Sequence, residues 1–490
     1  MIDLHLLESL LIYHPEDPLL FNSSFFLYFL CLFFAGYFLL RNKANARILF
    51  VSLFSLYFFY KACGWYVGLV LLAAVVDFNL SNRIYRTRKK ALRKLLLVVS
   101  LVINLGLLAY FKYTDFFIEI INDFQKQQIK PLQLILPVGI SFYTFENISY
   151  TIDIYRRTFK PVKRFMDYLF FLSFFPKLMM GPIVRAADFI PQIRKSVWLC
   201  KIDISKGFFL ICSGLIKKVV ISDYLSTHLV NMVFDDPLRF SGVECLFAVY
   251  GYAMVIYCDF SGYSDIAIGI AKWMGIDVNI NFSAPYQSKS ITEFWRRWHI
   301  SLSSWLRDYL YISLGGNRKG KFRTYLNLFI TMVIGGFWHG ASWNFLFWGA
   351  AHGLLLAIEK GWKDIFNITS YRSHWLMNSV KVLITFHLVC ALWIFFKAES
   401  FSLAAEMFTQ ISTAVDVKTL PLFANAYSLY LGLLAAAFFL HALPLKLNDW
   451  VIAQSSRLHW TLKAIVLTLV LMLISYFNQA GQVLPIYLQF

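Results

Sequence analysis

Charged residues are scarce in this chain: Asp, Glu, Lys and Arg make up 15% of its 490 residues, against about 25% in soluble domains. With 59% hydrophobic and 18% aromatic residues, that scarcity excludes a water-soluble globular protein and leaves a membrane protein. Acid is the rarer sign, 28 Asp and Glu against 46 Lys and Arg, for a formal net charge of +18. The seven cysteines form no CxxC pair, and Cys31, Cys212, Cys258 and Cys390 sit inside apolar runs. They read as small hydrophobes rather than as disulfides or metal ligands. There is no HExxH, no Gly-x-Ser-x-Gly elbow and no Walker loop, so a zinc protease, a serine hydrolase of that type and a P-loop NTPase are unsupported. No linker rich in Ser, Gly or Pro separates two halves. No internal repeat occurs either, which argues against a transporter built from two related halves.

The excess of basic charge does not point to nucleic acid, because it is spread over short loops between apolar runs, the positive-inside pattern. The segment before the first run carries Asp3, Glu8, Glu16 and Asp17 and no Lys or Arg. A secretory signal would begin with basic residues. The run at about 25–40 is therefore a first spanning helix with its N-terminus outside, followed by cytoplasmic Arg41, Lys43 and Arg47. Runs at about 48–60 and 65–80 leave and return to Arg83, Arg86, Arg88, Lys89, Lys90, Arg93 and Lys94. A run at about 95–111 crosses out to Asp115, Glu119 and Asp123, and one at about 132–152 crosses back to Arg156, Arg157, Lys160, Lys163 and Arg164.

Farther on the pattern blurs. Stretches near 166–184, 205–234 and 243–275 are interrupted by Pro176, Gly181, Pro182, Lys217, Lys218, Asp259 and Asp265. Broken or re-entrant helices are expected there, tolerated only where protein or a cavity covers the backbone. Asp259 and Asp265 should pair with a basic residue of a neighbouring element. Later runs, about 325–338, 342–358, 379–396, 427–443 and 461–477, are more regular. At about 20 residues per crossing, the reading is one all-α polytopic membrane domain over 1–490, with roughly 11 spans plus re-entrant or interfacial pieces.

The longest polar stretch is 281–323. Ser290 or Thr292 can cap a helix in it. At helical spacing Phe294, Trp298, Leu302, Trp305, Leu306 and Tyr309 share one face, with Arg296, Arg297, Arg307 and Asp308 away from it. The expectation is one amphipathic helix at the membrane surface. His299 lies at the edge of the apolar stripe and can point inward, or it can snorkel to headgroups. The Gly-rich basic loop that follows, with Arg318, Lys319, Lys321 and Arg323, can cradle a phosphate or simply anchor the cytoplasmic side.

His339 falls in the apolar stretch 324–349. A titratable imidazole at membrane depth is a functional candidate by default. Gly335, Gly336 and Gly340 flank it, and Trp338, Trp343 and Trp348 crowd it. A histidine hydrogen-bonded between packed helices remains the alternative on this segment alone. Asn344 can orient a substrate or serve packing. His352 is 13 residues on, about 220° around a straight helix, so on one helix the two imidazoles would face different ways.

Together these segments resemble the membrane-bound O-acyltransferase superfamily, in particular its bacterial branch typified by the alginate O-acetyltransferase membrane subunit. The resemblance is carried by Pro137–Phe145, Ser149–Arg157, Phe174–Arg185 and Asp259–Asp265. It continues through Phe294-Trp-Arg-Arg-Trp-His-Ile-Ser-Leu-Ser-Ser-Trp-Leu-Arg-Asp308, Leu314–Gly320, Gly335-Gly-Phe-Trp-His-Gly-Ala-Ser-Trp343 and the closing Pro485–Phe490. It implies a central tunnel and places the catalytic histidine of the Trp-His-Gly motif at His339, with a second functional histidine at His299. Trp298, Trp338, Trp343 and Asn344 would line the site. Arg318 and Lys319 would hold the phosphates of an acetyl-CoA or acyl-carrier phosphopantetheine donor. No permanently bound cofactor and no metal are implied. The resemblance also implies the bacterial inner membrane, an exported polysaccharide as final acceptor and an extracytoplasmic esterase-like partner. An acyl carrier protein is the further candidate partner. D-alanyl transfer to teichoic-acid-type polymers is the alternative, and non-enzymatic transport a remoter one.

Overall fold

The computed structural model describes residues 11–14, 18–21, 23–126, 128–366, 374–477 and 485–486. Asp3, Glu8, Glu16 and Asp17, and the last four residues of the closing Pro485–Phe490 motif, lie outside them. Among the described residues every regular element is helical. Five helices are long and apolar enough to cross a membrane, or six if the bent pair Leu420–Ala426 and Ser428–Ala442 makes one span. Several of the runs behind the reading of about 11 fold into shorter pieces. The first is α1, Ser24–Leu39, of 16 residues. The chain divides into two compact units, Met1–Ile211 with Ile266–Asn279, and Cys212–Asp265 with Ile280–Phe490.

The first unit continues with α2 (Ala44–Cys63), α3 (Val67–Arg86), α4 (Lys90–Gln125), α5 (Ile140–Arg156) and α6 (Phe165–Ser173). Its phenylalanines interlock, with ring centroids of Phe33 and Phe54 4.4 Å apart and Phe175 5.1 Å from both. α4 has 36 residues, about 54 Å of helix, so it outruns a hydrocarbon core of about 30 Å. Asp115, Glu119 and Asp123, expected beyond the span, ride on its last turns. The Pro-interrupted stretch after α6 is broken as expected, and residues 167–184 are all buried. Protein therefore covers the irregular backbone, as a nonpolar medium requires. Inside it Lys177 is ion-paired with Glu146, whose other oxygen accepts the Val184 N–H at 3.2 Å.

In the second unit the polar interruptions find partners. Residues 216–223 adopt π-helical geometry. Lys217 meets Asp265 at 2.6 Å, and Lys218 meets Asp259 at 2.6 Å and Asp223 at 2.8 Å. Both aspartates of the 259–265 motif, on α7 (Gly242–Trp273), thus have the basic partners expected of them. Farther along come α8 (Ile291–Arg297), α9 (Ile300–Trp305), α10 (Lys321–His339), α11 (Trp343–Ile365) and α12 (Trp375–Lys397). α10 and α11 form a hairpin whose backbones touch. A Cβ on Gly336 would stand 2.3 Å from the Phe345 carbonyl oxygen, and one on Gly349 2.4 Å from that of Met332. Only glycine admits this approach.

Candidate acyl-transfer site

The amphipathic stretch is not one helix. α8 ends at Arg297 and α9 starts at Ile300, and His299 stands at the break in left-handed conformation, φ 42°. A non-glycine residue there is uncommon, and such strain concentrates at functional sites. Ser290 supplies the N-cap of α8, its Oγ accepting the Glu293 N–H at 3.2 Å. The predicted apolar face is nevertheless right: Phe294, Trp298, Leu302, Trp305, Leu306 and Tyr309 are all buried. Protein, not lipid or water, receives it.

His299 is 0% exposed. The Asn281 side-chain oxygen lies 3.2 Å from its Nδ1 and also accepts the Ser301 N–H at 3.2 Å and the Ser301 hydroxyl at 2.9 Å. Donation from the Ser301 backbone fixes that atom as the oxygen. Nδ1 must then carry the proton, which leaves the Nε2 lone pair for chemistry. Burial pushes the imidazole down to about 3, so it is neutral at physiological pH. The ring stands edge-on to Phe260 at 4.6 Å and lies 6.1 Å from Trp338.

His339 is the last residue of α10 and 2% exposed. Its ring is 5.0 Å from Trp338, 5.2 Å from Trp348 and 5.2 Å from Phe396. The Trp338 indole therefore borders both candidate histidines. His352 joins the same cluster, because α10 and α11 are two helices rather than one. The chain reverses at Gly340–Ser342, and the His352 ring comes to rest 4.8 Å from Trp348, with Trp295 Nε1 donating to its Nδ1 at 3.3 Å.

The remaining expected site residues divide. Trp298 is 1% exposed and stacks on Phe294 at 5.6 Å, inside the cluster. Trp343 is not a wall. It opens α11 with 59% of its surface exposed, since Ser342 caps that helix and the inward register begins at Asn344 and Phe345. Trp348 and Phe396 take the place expected of it. Asn344 is buried, but its amide donates to the Ala398 carbonyl at 2.6 Å, so it ties helix ends together. Arg318 and Lys319 are exposed on a loop shaped by Gly315, Gly316 and Gly320 at positive φ and pinned by Asn327 to the Gly316 carbonyl at 2.9 Å. Asn281 escaped the sequence reading. It opens the polar stretch, but nothing local links it to a histidine 18 residues on. Among the described residues no group of three or more His, Cys, Asp and Glu side chains could hold a metal ion.

The family model for membrane-bound O-acyltransferases matches residues 13–398. The chain belongs to this family. It is 36% identical over 420 residues to a peptidoglycan O-acetyltransferase of Helicobacter pylori, covering 79% of each chain. It is 40% identical over 399 residues to the protein of Pseudomonas aeruginosa called "probable alginate O-acetylase AlgI", covering 80% of this chain and 74% of the other. A teichoic acid D-alanyltransferase of Bacillus subtilis is more distant, 29% identical over 289 residues and 55% of this chain. As a membrane-bound O-acyltransferase the chain is an enzyme, and the buried histidine cluster lies within the matched span.

Proposed function

We propose that this acyltransferase moves an acetyl group from a cytoplasmic thioester to the outer face of the bacterial inner membrane, for O-acetylation of an exported polysaccharide of the alginate, cellulose or peptidoglycan kind. The observation that carries the reading is the pair of motif histidines, His299 and His339, both buried against one indole, Trp338. The relatives at 36–40% identity named for O-acetylation cover far more of the chain than the D-alanyl relative does, which favours acetyl over D-alanyl transfer.

His339 acts as general base. It takes the proton of the acceptor hydroxyl as that oxygen attacks the thioester carbonyl, and the proton passes on to the departing thiolate, so an ester and a free thiol result. His299 presents its Nε2 beside the reacting groups, and the aromatic walls of Trp298, Trp338 and Trp348 exclude water, which strengthens every polar contact inside. Acceptor and donor enter from opposite faces through a tunnel, in a domain of about 11 crossings with its N-terminus outside. Arg318 and Lys319 hold the phosphates of acetyl-CoA or of a carrier's phosphopantetheine at the inner face. An extracytoplasmic esterase-like protein completes delivery to the polymer.

The test is acetyl ester on exported polysaccharide from a deletion strain carrying the wild-type chain or His339→Ala at matched membrane levels. Ester restored by the wild type and absent with His339→Ala is expected. Ester unaffected by the deletion would sink acetyl transfer, and D-alanyl ester lost instead would establish the alternative.

A further inference from the structure

His352 is 0% exposed on α11, and its Nδ1 accepts the Trp295 indole N–H at 3.3 Å. An indole nitrogen only donates, so the neutral His352 ring carries its proton on Nε2. His299, whose Nδ1 donates to Asn281, holds the opposite tautomer. One ring is set to take a proton and the other to give a hydrogen bond. Among the described residues the His352 Nε2–H has no acceptor. The Trp348 Nε1–H, one helical turn earlier on α11 and also 0% exposed, has none either. Buried donors without partners cost stability and are rare, and here two stand in neighbouring rings 4.8 Å apart.

The surrounding packing fixes both rings. Phe294 lies parallel to His352 at 6.1 Å, and Trp393 lies nearly parallel to Trp348 at 5.7 Å. Each donor is followed by a glycine that lets α11 press on α10. A Cβ on Gly349 would stand 2.4 Å from the Met332 carbonyl oxygen, and one on Gly353 2.9 Å from the Phe329 Cα. Donors held rigidly away from water are what a developing oxyanion needs. The Trp348 ring also lies 5.2 Å from that of His339, so the two N–H groups border the proposed base. The partner they call for is a group that only accepts, and the acyl carbonyl is one.

We propose that His352 Nε2–H and Trp348 Nε1–H hold the oxygen of the thioester carbonyl and stabilise the oxyanion that forms on it. As the acceptor hydroxyl oxygen bonds to the carbonyl carbon, the C=O π pair moves onto the carbonyl oxygen, which the two donors receive. When the pair returns, the C–S bond breaks and the thiolate leaves. Neither donor gives up its proton. The assignment rests on the acyl-transfer reading with His339 as base.

The experiment follows thiol release from acetyl-CoA in membrane vesicles of a deletion strain carrying the full chain at matched levels. His352→Leu should lower kcat about 10²–10³-fold, as loss of an oxyanion donor does. KM for acetyl-CoA should stay within about twofold, because the contact strengthens only in the transition state. His352→Gln keeps an N–H near the Nε2 position and should bring kcat back to within about tenfold of the wild type. Wild-type kcat in His352→Leu, the result if the two donors serve a buried water only, overturns the proposal. So does a His352→Gln as slow as His352→Leu when both reach the membrane, since the ring and not its N–H would then matter. Where His352→Leu fails to accumulate, Trp348→Phe decides: it keeps a ring beside His339 and removes the second donor. A kcat about tenfold lower or less, with KM unmoved, is expected of it, and wild-type kcat overturns the assignment. A wild type no faster than His339→Ala sinks the acyl-transfer reading itself, which is distinct from an active wild type with an indifferent His352→Leu.

Discussion

His299 shows how much of the site depends on one residue's backbone. Its left-handed φ turns the ring inward between α8 and α9, and Asn281 then holds Nδ1 as a donor. Asn281 acts through His299, so it is a positioning residue. Asn281→Asp places a carboxylate against the ring, which favours imidazolium and raises the pKa from its depressed value. Imidazolium has no free Nε2 lone pair, so activity is lost on the acid side of that raised pKa. Thiol release from acetyl-CoA in membrane vesicles should therefore have its acid limb moved to higher pH in Asn281→Asp than in the wild type, whereas Asn281→Ala lowers the rate without moving that limb. A wild-type pH profile in Asn281→Asp would remove Asn281 from the site. The motif patterns single out both histidines as candidates in the sequence, and the fold brings both against Trp338. Asn281 is not legible in the sequence, because its role exists only once the chain folds 281 back onto 299–301.

The α10–α11 hairpin carries the same lesson at the level of elements. The sequence shows that glycines flank His339, but what Gly336 admits appears only in the fold: it is the backbone of the partner helix. The hairpin also explains why the angular argument for His352 did not apply, since it presumed one straight helix where Gly340–Ser342 makes a turn. Likewise the 3.6-residue pattern over 294–309 marks one buried face but two helices, because periodicity survives a short break. Gly336→Ala forces a methyl against the Phe345 carbonyl and should cost about 1–3 kcal/mol, as overpacking does. Gly106→Ala, where nothing lies within 4 Å of the new Cβ, should be neutral or gain up to about 1 kcal/mol from helix propensity. Unfolding temperatures of the two variants in the same detergent test the contrast. Equal shifts would mean that the hairpin backbones are not in contact.

For the whole molecule the open question is which way the chain faces, and α4 makes it answerable. It is a single helix of 36 residues, long enough to place its two ends on opposite sides. Its first end follows Arg83–Lys90 and its last carries Asp115, Glu119 and Asp123, so the positive-inside bias assigns the first end to the cytoplasm. Among the described cysteines only Cys31 and Cys200 are exposed, and replacing those two gives a quiet background for labelling. In it Gln128→Cys should react with an impermeant maleimide in intact cells, whereas Arg88→Cys and Arg318→Cys should react only after permeabilisation. Labelling of Arg88→Cys and not Gln128→Cys in intact cells would invert the orientation and place the N-terminus inside. Labelling of Arg318→Cys from outside, with the other two as expected, has a narrower meaning. It would leave the histidine cluster as the proposed catalytic centre but take the Gly-rich basic loop away from a cytoplasmic donor, and the phosphates of the thioester would then need other cations to meet them.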